Sequence, residues 1–131
     1  MTAACKTRRA RTHLRRAALA GSLALVFGAT LRPASGPNHV ALVPWTARQI
    51  NAANVIGNVV LFAIPAVVLW SFDWPLRRTV VAGFCVSLGI ELLQLVIPGR
   101  TTSTTDVLCN TLGAAVGWLL AARLARRTYP K

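Results

Sequence analysis

The sequence predicts an all-α polytopic membrane protein: a four-transmembrane-helix bundle with a short first span and both termini cytoplasmic. Three observations carry that expectation. Of the 131 residues, 54% are hydrophobic and only 14% charged, where an ordinary soluble domain is about a quarter charged. The 15 basic residues lie at the chain ends and between apolar runs, set against 3 acidic ones. The few polar residues inside those runs recur at helical spacing. A net charge of +12 could point to nucleic acid, but clusters flanking apolar runs are what a membrane protein with basic cytoplasmic ends carries, so no nucleic-acid partner is expected. Cys5, Cys85 and Cys109 are odd in number and lack CxxC spacing; they read as small apolar fillers, neither a disulfide framework nor a metal knuckle.

Residues 1–16 form a basic N-terminal tail, and the first span follows at 17–31, "AALAGSLALVFGATL", between Arg16 and Arg32. Its 15 residues reach only about 22 Å, so Arg15, Arg16 and Arg32 must snorkel to bridge a ~30 Å hydrocarbon layer. A cleaved secretory signal with "RPASG" as its exit is the rival reading, and Arg8-Arg9 hints at a twin-arginine version of it. The second span is about 53–72, with Pro65 expected to kink it and a neighbour to meet the freed carbonyl. The third is 79–98 and the fourth about 106–122, followed by a basic tail over 123–131. Between the first two spans, Val43-Pro44-Trp45 places an aromatic at the interface, and His39, with no partner at metal spacing, reads as a solvated loop residue.

Orientation follows from the basic residues. The six in 1–16, the Arg77-Arg78 pair and the four from Arg123 to Lys131, twelve in all, fall on one side of a four-span arrangement. Arg32, Arg48 and Arg100 fall on the other. The positive-inside rule then puts both termini in the cytoplasm. With that topology, Asn51, Asn54 and Asn58 open the second span from outside. Glu91 and Gln94 lie in the outer half of the third, and Asp106 and Asn110 open the fourth.

Helical phase brings these residues to single faces. At ~100° per residue, Asn51, Asn54, Asn58 and Pro65 share about 60° of arc. Gly83, Ser87, Glu91 and Gln94 share about 80°, and Asp106, Asn110, Gly113 and Gly117 about 60°. Polar groups in lipid turn inward and small residues let backbones approach. The three stripes are therefore expected to face one another around a polar pocket open to the outer side. Each residue also has a plainer reading. Glu91, the one glutamate of the chain, would hydrogen-bond Asn58 or Asn110. Asp106 would close the capping box "STTD" at 103–106. Asn54 and Asn58 would be interhelical glue, Gly113-x-x-x-Gly117 a packing face, and Arg100 a surface partner of Asp106. No GxSxG, HExxH or P-loop occurs, and no cofactor or metal is expected.

The ordered pattern "VPW…NVIGNVVLFAIP" followed by "SLGIELLQLVIPGRTTSTTDVLCNTLGAAVG" resembles the VanZ-like membrane proteins over about residues 17–122. The shared features are the Pro-aromatic step, Asn58 opening N-x-x-x-F-x-x-P, Ser87 with Glu91-x-x-Gln94, then Arg100, Asp106, Asn110 and the paired glycines. Ala66 and Val67-Val68 stand where members commonly carry a glycine. The resemblance implies an uncleaved first span, a multi-pass protein of the bacterial cell membrane, and a link to the namesake's low-level teicoplanin resistance. The leading expectation is a non-enzymatic binding or shielding protein. It would engage a lipid-linked cell-wall intermediate or a lipophilic glycopeptide through Asn54, Asn58, Glu91, Gln94, Arg100, Asp106 and Asn110. One alternative is a membrane-embedded enzyme acting on a lipid-linked phosphate or glycan, with Glu91 and Asp106 as acid/base pair or metal ligands. The other is a structural module that oligomerises through its small-residue stripes, Gly83, Ser87, Gly113 and Gly117.

Overall fold

Four helices and one short pair of strands make up the structure, a computed structural model that describes residues 3–42 and 51–128, with side chains from residue 8. Val43-Pro44-Trp45 and Arg48 lie outside the described residues, as do 129–131 and the side chains of Cys5 and Lys6. In chain order the elements are α1 (Ala3–Thr30), β1 (His39–Ala41), α2 (Ala52–Trp70), α3 (Leu76–Gln94), β2 (Thr101–Ser103) and α4 (Thr104–Thr128).

The first helix is longer than the apolar run inside it. Its 28 residues extend about 42 Å, because strong helix formers, Ala, Arg, Lys and Leu, dominate the stretch before residue 17. The basic tail is thus the first half of α1 for as far as it is described, and the shortfall of the 17–31 segment belongs to its apolar part alone. Likewise α4 continues through the basic residues to Thr128. Helix α2 is capped by Asn51, whose side chain accepts from the Ala53 NH at 3.0 Å, and it runs through Pro65 without interruption.

Helix α3 stops at Gln94, four residues before the end expected at Pro98. The reason is local. Proline disfavours helical backbone at the residue before it, and the chain tightens into shorter bonds ahead of it: Leu95, Val96 and Ile97 donate to the carbonyls of Leu92, Leu93 and Gln94, which would otherwise be orphaned at the helix end. The next turn is clasped by the first loop. Asn38 donates to Leu95 O at 3.1 Å and accepts from the Gly99 NH at 2.7 Å, and the Ala34 NH reaches Pro98 O. Gly99 sits at φ +72°, and a Cβ there would overlap the Ala34 carbonyl. This clasp leads into a feature absent from the sequence expectation. The segments read as plain loops pair as parallel strands, with His39 opposite Thr101 and Ala41 opposite Ser103.

Helix α4 lies against both α2 and α3, and α1 packs on α2. The α2–α4 approach is set by glycine: a Cβ on Gly113 or Gly117 would run into the backbone of Val59 or Ala63. Polarity is inverted relative to a soluble bundle. The buried residues of α3 are Thr79, Ser87, Ile90, Glu91 and Gln94, while Val81, Phe84, Leu88 and Leu92 are exposed. Helices α2 and α4 are long and apolar enough to cross a bilayer, and only 17% and 33% of their apolar windows are buried in the fold. They are thus unlike the core helices of a soluble protein.

Glycine packing makes a direct prediction. Gly113→Ala should destabilise the detergent-solubilised protein by about 1–3 kcal/mol, the usual cost of overpacking. Gly89→Ala, where nothing lies within 4 Å of the added carbon, should be neutral or slightly stabilising. Thermal unfolding of the two variants side by side checks it. Equal midpoints would mean that the α2–α4 contact does not depend on the glycine.

Candidate functional site

The polar residues gather at the end of the bundle where α3 stops and α2 and α4 begin. Glu91 and Gln94 stand one turn apart on α3, both buried. The Glu91 Oε2 atom accepts from the backbone NH of Ser103 at 2.6 Å, and the Thr102 hydroxyl donates to the Glu91 carbonyl at 3.2 Å. Ser103 immediately precedes α4, so a carboxylate from α3 meets one of the donors that every helix start leaves open.

That bond displaces the expected capping box. In such a box the NH of Ser103 would go to Asp106 and the serine oxygen would cap the helix. Here Glu91 takes the NH, and Ser103 Oγ is buried without a partner. Asp106, left free of the box, accepts from Asn58 Nδ2 at 2.8 Å and ties α4 to α2. One turn on, Asn110 Nδ2 donates to Ser87 Oγ at 2.8 Å, tying α4 to α3. Gln94 Nε2 donates to the Thr30 carbonyl at 2.8 Å, meeting the C-terminal end of α1. The expected bonds from Glu91 to Asn58 or Asn110 are replaced by these four, which together link every helix at one end.

Arg100 is half-buried beside this network, near enough for its charge to act on both Glu91 and Asp106. Its Nε is buried and unpartnered, and the Asp106 oxygen goes to Asn58 rather than into the expected surface pair. Asn54, one turn before Asn58, is exposed, and no hydrogen bond of the cluster involves it. Gly83 packs where an added carbon would come within 2.7 Å of the Ala114 methyl. With Gly113 and Gly117 against α2, the small residues serve contacts inside the chain. Among the described residues, no three His, Cys, Asp or Glu side chains come together.

The stripes therefore meet largely as bonded pairs, with four buried side-chain atoms left over: Gln94 Oε1, Arg100 Nε, Ser103 Oγ and Asn110 Oδ1. Because Thr30 O can only accept, the Gln94 amide must present its NH₂ to it, and Oε1 is the atom left unmet. Sequence reasoning missed Thr30, Asn38 and Thr102, and gave Ser103 a local capping role in place of its bond to Glu91. The one available signal was Pro98-Gly99, which marks a turn bringing the following polar run back over the helix ends.

A family model described as VanZ/LLP1 matches residues 7–126, so the family pattern takes in most of the basic start of α1, which the motif-based boundary at 17 left outside. No match to the chain was found among curated proteins or solved structures. The family match and the two bilayer-length apolar helices make this a membrane protein. Covering nearly the whole chain and all four helices, the match places it in the VanZ/LLP1 family.

Proposed function

We propose that the chain crosses the cell membrane four times with both termini cytoplasmic. On this reading its polar cluster, at the outer end, holds the polar head of a lipid-linked cell-wall intermediate or of a lipophilic glycopeptide that targets one. It is a binding and shielding site rather than a catalytic one, in keeping with the family's link to glycopeptide resistance. The four-span reading draws support from the inward polar face of α3 and from the position of the basic residues.

One observation carries the binding reading: among the described residues, the four unmet buried side-chain atoms all belong to this cluster. A buried polar group without a partner costs about 1–3 kcal/mol, and native structures keep few of them. Two amide oxygens, a hydroxyl and a guanidinium nitrogen suit a ligand offering hydroxyl or amide donors beside a phosphate or carboxylate. Gln94 and Asn110 would accept from the donors and Arg100 would donate to the anion, while Glu91, Asp106 and Asn58 hold the frame and its charge.

Two experiments test this proposal. In a background lacking the native cysteines, Ser35→Cys should react with a membrane-impermeant maleimide on intact cells, and Arg77→Cys only after permeabilisation. The reverse pattern would invert the topology and remove the outer site. Glu91→Gln retains an oxygen for the Ser103 NH but removes the ionisable group, and Arg100→Gln breaks no side-chain bond of the fold. Each should leave purified protein folded and lower teicoplanin tolerance in an expressing host by about tenfold, equivalent to ~1.4 kcal/mol of binding. Full tolerance in both folded variants would refute the site.

A further inference from the structure

A second site lies in the other half of the bundle. A cavity of about 230 Å³ opens between α1, α2 and α3, walled by Leu19 and Leu23, Phe62 and Leu69, and Ala82 and Val86. Thr79 also lines it, but its hydroxyl is spent on the Pro75 carbonyl at 3.3 Å, so the wall is apolar in effect. Small side chains, Ala66, Gly83 and Ala114 among them, leave the space. Such a wall offers water no hydrogen-bond partners. Taking a methylene to fill about the room of a water, ~30 Å³, the cavity has space for seven or eight of them. That is part of one hydrocarbon chain and far too little for a further helix.

The charge beside it defines the rest of the ligand. Arg15 and Arg16 precede Leu19 by four and three residues on α1, and Arg78 precedes Ala82 by four on α3, so each lies one turn from a wall residue on nearly the same helix face. Arg77 adjoins it. Arg16, Arg77 and Arg78 are exposed and Arg15 half-buried. Two of the three acidic residues, Glu91 and Asp106, are engaged at the opposite end, which leaves Asp73 as the one acid in this half. Trp74, itself a lining residue, is held at this level by the Trp118 Nε1 bond to its carbonyl at 2.7 Å.

We propose that the cavity binds one acyl chain of an anionic phospholipid, with the lipid phosphate seated on the arginines of α1 and α3. Long cationic side chains at a helix end reach the headgroup level while their stems stay against carbon. The site thus sets a cationic rim about one helical turn from an apolar slot. It rests on the membrane-spanning reading above but not on the polar cluster.

The test uses the full chain in phosphatidylcholine nanodiscs, with tryptophan emission read as the fraction of dibrominated phosphatidylglycerol or dibrominated phosphatidylcholine is raised. Half-maximal quenching should occur at an at least threefold lower mole fraction of the anionic lipid. Arg77→Gln with Arg78→Gln should bring the two lipids to equality. Ala82→Phe, which fills the cavity, should do the same, with Leu19→Phe as the milder variant and circular dichroism as the check on folding. Equal quenching in the wild type overturns the proposal, as does selectivity that survives either the arginine changes or a folded cavity-filled variant. No antibiotic or cell-wall intermediate enters the measurement, so its failure leaves the polar-cluster reading standing, and failure of that reading leaves the lipid result standing.

Discussion

The bond from the Ser103 NH to Glu91 is the constraint on which the polar end depends. A helix whose start is buried has no water to satisfy its first amides, and Ser103 is buried. Helix α4 begins directly after a strand, without a capping side chain from Ser103, and borrows a carboxylate from α3 instead. The borrowing has consequences. It pins the α3 end to the α4 start and releases Asp106 to hold Asn58. It also requires the strand pair His39–Ala41 and Thr101–Ser103 to set the height at which Ser103 arrives. The Asn38 clasp on the Pro98-Gly99 turn holds that strand in place.

Around this anchor the chain solves the same problem twice with different materials. Toward the middle of the bundle, backbone approach does the joining: Gly113 and Gly117 bring α4 against Val59 and Ala63 of α2, and dispersion between close-packed atoms holds helices that lipid would otherwise solvate equally well. At the polar end, hydrogen bonds made by side chains, two to other side chains and two to backbone, do it, each valuable because its loss would strand a group in a medium of low dielectric. Large apolar side chains face outward in both regions. The two proposed sites sit where each material is incomplete, one among unmet polar atoms and the other in a gap left by small apolar side chains.

Much of the fold was legible because helical periodicity is a local property. Four helices, the inward stripe of α3 and the glycine face of α4 follow from spacing alone, since side chains 3, 4 and 7 apart share a face whatever lies opposite. The partners were not legible. Spacing put Glu91, Asn58 and Asn110 at one depth, yet Glu91 went to a backbone amide 12 residues on and Asn58 to an aspartate 48 residues away. A capping box reads well in "STTD" because its geometry is local, and it lost to a carboxyl oxygen that only the α3 end could supply. The stop at Gln94, the parallel strands and the Asn38 clasp depend on where two loops meet, and neither loop's pattern encodes the other.

By itself the sequence determined a basic, apolar, largely helical chain with its rare polar residues gathered into three helical stripes. These are consequences of composition and periodicity that hold before any contact forms. Tertiary structure decided which donor met which acceptor, which atoms were left unmet, and where a cavity remained. Those outcomes turn on ångström-scale distances between segments far apart in the chain, and one carboxylate oxygen reaching Ser103 ahead of Asp106 was enough to redirect the rest.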